Sequence, residues 1–179
     1  LPISLVQSPF SIAQDFRIFQ FIHSFKHLAI FVQPNIQRGM QLFLDQFANG
    51  FDIQFLPITD NPTADLNRLN EDVDAIYFLP NLYKTESSNQ ALIDGINDRK
   101  LPSFSLIGRA DVERGILASN APSNYISIYA RRIALNVMKI LEGENAKDLP
   151  IEIGGVEDDL VINVATMEQL GIYPPFSIL

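Results

Sequence analysis

The chain has 179 residues, 47% of them hydrophobic and 19% charged, which suits one globular domain with a real core. Thirteen basic against twenty-one acidic residues leave a net charge of −8, and no basic cluster exceeds Arg131-Arg132, so a nucleic-acid-binding face is excluded. Cysteine is absent, which removes thiol nucleophiles, disulfides and cysteine metal sites together, and the longest apolar runs are far too short to span a bilayer.

The chain opens at Leu1-Pro2 without an initiator Met and closes at Ser177-Ile178-Leu179 without a polar tail, as expected of a piece of a longer polypeptide. Ile12, Phe16, Phe19 and Ile22 recur at helical spacing and predict an opening helix with a thin polar face, on which another body is expected to pack. Leu28 to Val32 reads as a buried strand. It passes through Gln33-Pro34-Asn35 into a helix with Ile36, Met40, Phe43, Leu44 and Phe47 on one face, ended by Asn49-Gly50. Phe51 to Ile58 alternates apolar and polar residues as a strand does. Asp60 to Thr63 then turns the chain into a short helix around Leu66 and Leu69.

Val73 to Leu79 predicts the next strand, Asn89 to Asp98 a helix with Leu92, Ile93 and Ile96 inward, and Ser103 to Ile107 a strand opened by Pro102. Gly115 to Ser119 is a short strand, and Ala121-Pro122 introduces the longest helix, Ser123 to Glu142. Its predicted buried stripe is Ile126, Ala130, Ile133, Ala134, Val137 and Leu141. Two short strands, Pro150 to Ile153 and Leu160 to Val164, flank a Gly154-Gly155 turn. A terminal helix, Thr166 to Leu170, ends at Gly171. Alternating strands and helices with short connections predict an α/β fold with a doubly wound, mostly parallel sheet in flavodoxin-like order.

The residues that usually carry catalysis do not assemble. His23 and His27 are four apart, but Ser24-Phe-Lys26 between them supplies no carboxylate and a strand starts at Leu28, so they read as surface histidines at a helix end and no metal is expected. No serine sits in a Gly-x-Ser-x-Gly elbow, and no phosphate loop surrounds Gly108-Arg109 or Gly154-Gly155. Glu71-Asp72 and Glu157-Asp158-Asp159 read as solvated turns. The expectation is a protein that is not an enzyme, with no catalytic residues and no cofactor.

Ligands of open α/β sheets bind beyond the carboxyl ends of the strands. Those ends carry Gln33-Pro34-Asn35, Thr59-Asp60, Pro80-Asn81-Leu82-Tyr83 and Gly108-Arg109. Four residues there are the candidate ligand-binding set. Asn35 and Asn81 have amides that donate and accept, Tyr83 can stack on an apolar or aromatic ligand, and Arg109 can pair with a carboxylate. Asparagine is also a favoured turn and helix-capping residue, which is the structural alternative for both. Asn81, Tyr83 and Arg109 are expected on one rim, at the carboxyl ends of neighbouring strands.

Several ordered segments carry a resemblance: Val73-Asp-Ala-Ile-Tyr-Phe-Leu-Pro80, Lys100-Leu-Pro-Ser-Phe104, Val112-Glu-Arg-Gly-Ile-Leu-Ala118, Ala130-Arg-Arg-Ile-Ala134, Ile140-Leu-Glu-Gly143, Asp148-Leu-Pro-Ile151 and Leu160-Val-Ile-Asn163. In this order and spacing they resemble the substrate-binding-protein family of ABC transporters, with a type I periplasmic-binding fold. The resemblance implies two α/β lobes closing on a small ligand, and two typical lobes need more chain than this. Within a single periplasmic-binding-protein-like domain over 1–179, residues 26–115 look like the second lobe. Residues 116–179 look like the crossover helix and closing strands, and the first lobe is largely missing. The implied partners are a small-molecule ligand and membrane transporter components, in the periplasm or cell envelope, with no direct membrane insertion by this segment.

The sequence departs from transporter-coupled members where Asn81-Leu82 and Gly108-Arg109 stand in place of polar or acidic groups. A narrower similarity, through Leu92-Ile-Asp-Gly-Ile-Asn97, Leu101-Pro-Ser-Phe-Ser-Leu-Ile-Gly-Arg109 and Ala130-Arg-Arg-Ile-Ala-Leu-Asn136, is to the version of this domain at the front of TolC-type outer-membrane efflux proteins. That implies a structural or sensing module with efflux channel components as partners.

Overall fold

Strand β1 (His27–Val32) lies inside the sheet with a strand on either side, and five of its six residues are buried, the mark of a parallel strand covered on both faces. The structure, a computed structural model, describes residues 11–48, 50–79, 83, 85–122, 124–150 and 159–175. On one side of β1, strand β2 (Asp52–Pro57) pairs in parallel from His27 opposite Asp52 to Val32 opposite Pro57. On the other, β3 (Ala75–Phe78) pairs in parallel with Leu28 opposite Ala75. Strands β4 (Ser103–Ser105) and β5 (Ala118–Ser119) continue the parallel array, and β6 (Val161–Ile162) runs antiparallel beside β5. The order β2-β1-β3-β4-β5-β6 is the doubly wound, mostly parallel α/β sheet that the alternation predicts, with its reversal point between β1 and β3.

Helix α1 (Ile12–Ile22) buries Phe16, Phe19 and Ile22 as predicted. Phe16 meets Tyr77 of β3 edge-on at 5.0 Å, and Phe19 lies 5.3 Å from Phe104 of β4. This aromatic layer also encloses Asp15, whose carboxylate accepts a 2.6 Å hydrogen bond from the Tyr77 hydroxyl. Burial, with the charge and hydrogen bond of Asp15 in the same sense, pushes the Tyr77 phenol well above its usual range and keeps it a donor.

Helix α3 (Pro62–Leu66) begins where the Asn61 carboxamide accepts from Ala64 N at 3.1 Å, with Pro62 at the first helical position. Helix α4 (Glu86–Asp98) starts three residues before the apolar pattern because Thr85 caps it, accepting from Ser88 N at 3.2 Å. The two helices pack closely. A Cβ on Gly95 would lie 2.3 Å from Leu66 Cδ1, so a larger residue there would make the Leu66 side chain move. Leu92, Ile93 and Ile96 are fully buried beneath α4, as their spacing predicts.

Three elements differ from expectation. Helix α2 (Gln37–Leu44) passes into a 3-10 turn at Asp45–Phe47 and fully buries only Leu44, leaving Ile36 and Phe43 exposed. Helix α5 (Arg109–Glu113) was not anticipated, since a five-residue helix is too short to show periodicity. The long helix α6 (Tyr125–Leu141) has the predicted extent, but its apolar stripe is not buried. Ile126 is 68% and Leu141 82% exposed, with Ile133 and Val137 exposed between them. Periodicity identifies residues that share a face and does not specify what lies opposite.

Replacing Ile126 or Leu141 by Ser should therefore shift the chain's unfolding free energy by no more than ~0.5 kcal/mol, measured by urea titration, whereas a buried stripe would lose several times that. Helix α7 (Val164–Leu170) ends at Gly171 in the left-handed region (φ 68°), as predicted. The strand expected to run to Ile153 and the Gly154-Gly155 turn lie outside the described residues.

Candidate functional site

The chain leaves β1 toward β2 and leaves β3 toward β4, so the loops after β1 and β3 diverge and open a crevice at their carboxyl ends. A cleft of about 410 Å³ occupies this crevice, within the size range of small-molecule sites. Gln33, Pro34 and Asn35 line it from the loop after β1, Ile58, Thr59 and Asp60 from the loop after β2, and Tyr83 from the segment after β3.

Asp65 organises these walls. Its side chain is fully buried in α3 and accepts three hydrogen bonds: from Tyr83 Oη at 2.5 Å, Thr59 N at 2.8 Å and Arg68 Nη1 at 3.1 Å. Arg68 Nη1 also donates to Pro57 O at 2.8 Å, tying α3 to the end of β2. The backbone of Tyr83 is clamped from α4, where Asn89 Oδ1 accepts from Tyr83 N and Asn89 Nδ2 donates to Tyr83 O, each at 3.0 Å. Burial, then the hydrogen bond and charge of Asp65, hold the Tyr83 phenol well above its usual range, so it remains a donor across the physiological span. Tyr83 is thereby tied through Asp65 to Thr59, which is distant from it in sequence.

Of the four residues proposed from sequence, Asn35 and Tyr83 meet in this cleft. Asn35 is exposed, and its carboxamide makes no hydrogen bond to the described residues. Tyr83 is only 7% exposed and its hydroxyl is taken up by Asp65, so it forms a fixed wall rather than a free stacking face. Arg109 follows β4 on the same edge of the sheet but stands outside the described cleft walls, with Nη2 4.0 Å from Asp159. Asn81 lies outside the described residues.

Asp65 was missed by sequence reasoning. In Asn61-Pro62-Thr63-Ala64-Asp65 it reads as an ordinary acid in the first turn of a helix, and its partner Tyr83 is eighteen residues away. Asp60, also on the wall, carries the cleft's fixed negative charge among the described residues.

The cleft holds amide, hydroxyl and carboxylate groups suited to a small polar molecule. The histidines stand elsewhere: His27 begins β1, about 17 Å of strand away at the amino edge, with Nδ1 3.6 Å from Asp72 and 3.9 Å from Asp52. The close serine–carboxylate pair, Ser105 Oγ donating to Asp111 Oδ2 at 2.5 Å, is buried under α5. Burial raises the Asp111 carboxyl above the usual carboxylate range, against the opposing effects of Ser105 and Arg114. Among the described residues, no helix is long and apolar enough to cross a membrane.

No protein-family model and no curated protein matches this chain. Among solved structures, it is similar to a conserved domain protein from Vibrio cholerae O1 biovar eltor, at a TM-score of 0.74 and 23% identity, over 98% of this chain and 60% of that one. It is also similar to the ligand-free, open structure of CD0873, a substrate binding protein with adhesive properties from Clostridium difficile. That match has a TM-score of 0.69 and 20% identity, over 97% of this chain and 59% of that one. The 179 residues thus span about three fifths of the length of either protein. At these identities the likeness establishes the fold: a mixed α/β architecture of the kind found in a substrate-binding protein.

Proposed function

We propose that this chain is a non-catalytic binding domain for a small polar molecule, forming one wall of a two-walled site in an ABC-type transport system of the periplasm or cell envelope. The observation that carries the reading is the preformed cleft at the β1/β3 reversal point, its walls locked by Asp65 and Tyr83 while Asn35 and Asp60 face the opening. The fold shared with a substrate-binding protein supports it, as does the exposed apolar stripe of α6, which suits a helix packed against a further lobe.

Two-walled sites enclose ~70–90% of the ligand surface, and one wall leaves much of that contact to water. Losing ~3 kcal/mol of contact weakens binding more than a hundredfold. Calorimetry of the 179-residue chain against amino acids, sugars and short peptides should give affinities no better than millimolar. A longer polypeptide carrying the preceding lobe should bind at least about a hundredfold tighter. Micromolar binding by the 179 residues alone would overturn the two-walled reading. Failure of both to bind would favour a structural or sensing domain of a TolC-type efflux protein.

A further inference from the structure

We infer that the ligand of the cleft carries a positively charged amine, and that Asp60 is the residue that binds it. The inference rests on the ligand-binding reading above and adds a chemical class to it.

Among the described residues that line the cleft, Asp60 alone is charged at neutral pH. It is exposed, and its carboxylate makes no hydrogen bond or ion pair with the described residues. The other acid of these walls is already matched, since Asp65 is fully buried with Arg68 at 3.1 Å. Arg68 also donates to Pro57 O, and no cationic side chain lines the cleft among the described residues. Arg109, the cation expected at this rim from sequence, stands outside the walls beside Asp159.

The start of α2, which follows Asn35 without a side-chain cap, offsets part of the charge. A helix N-terminus is worth about half an elementary charge against the full charge of Asp60, so the sum stays negative. Helix α3 does not require Asp60 either. Its N-terminus is capped by Asn61 and already carries Asp65 in the first turn. An acid that serves neither a cap nor an ion pair, set in a concave wall that focuses its field, is suited to hold a cation. The net charge of −8 has the same sign and draws cations toward the chain. An ammonium has three N–H donors to share between the Asp60 carboxylate and the carboxamide oxygen of Asn35 on the same cleft. An anionic ligand would meet Asp60 with no cationic side chain to offset it.

The test titrates the ¹⁵N-labelled 179-residue chain with butylammonium chloride, sodium butyrate and 1-butanol at constant ionic strength, following the backbone amides of Asn35 and Thr59 by NMR. The three probes have similar carbon chains and differ in charge. Butylammonium should shift both amides saturably, and the other two should not. Asp60→Asn, which keeps the shape and removes the charge, should weaken the butylammonium response by about tenfold or more. Asp98→Asn removes the same charge at the exposed end of α4 and should leave the response unchanged. Saturable shifts with butyrate or butanol but not with butylammonium would overturn the inference and leave the binding function standing. A butylammonium response that survives Asp60→Asn would overturn it equally, and a fall in Tm for that variant would then assign the charge to α3. If no probe moves the cleft amides, the inference fails, and the calorimetry of the longer polypeptide separately decides the binding function.

Discussion

Asp65→Ala should lower the unfolding free energy by ~3 kcal/mol and loosen the cleft at the same time. The substitution strands a backbone N–H at Thr59 and a phenol at Tyr83, and it removes the ion-pair partner of Arg68. Each buried donor left without an acceptor costs ~1–3 kcal/mol, although relaxation and water entry recover part of the sum. Tyr83→Phe removes only one of these bonds and should cost ~1 kcal/mol. Urea denaturation of the two single variants and the double variant gives the coupling. A double-variant loss well short of the sum of the two single losses is expected, because both residues make the same bond. Fully additive losses would mean that Asp65 does not act through Tyr83. The aspartate would then stabilise α3 without organising the cleft.

The second large effect belongs to the aromatic layer under α1. Phe19 is fully buried, with ring centroids 4.9 Å from Phe25 and 5.3 Å from Phe104. Phe19→Ala leaves a cavity between rings that cannot collapse together, and should cost ~3–5 kcal/mol. Against the ~5–15 kcal/mol that holds a typical domain, this brings the chain close to unfolding at room temperature. Phe21, two residues along the same helix, is 55% exposed and supplies the control. Phe21→Ala should shift the urea midpoint little, within ~0.5 kcal/mol. Equal losses at the two positions would show that α1 is buried on both faces, contrary to its observed packing.

The α/β class and the strand order were legible in the chain because both follow from local pattern and handedness. Leu28 to Val32 is apolar at every position, which only a strand covered on both faces tolerates. Short connections then leave few ways to lay successive parallel strands side by side. Asn35 and Tyr83 were legible for the same reason, since a strand's carboxyl end can be found once the strand is found. Local capping could be read equally well, as at Gly171.

Only the tertiary structure decided which groups are finished and which are left open. The stripe of α6 has the spacing of a buried face, yet burial depends on a partner surface that spacing does not encode. Asp65 looks like any acid in a first helical turn, and becomes the pivot of the cleft because folding brings Tyr83 onto it across eighteen residues. Sequence periodicity reports each residue's own preference, whereas hydrogen-bond satisfaction is a property of pairs, and the chain must fold before the pairs exist.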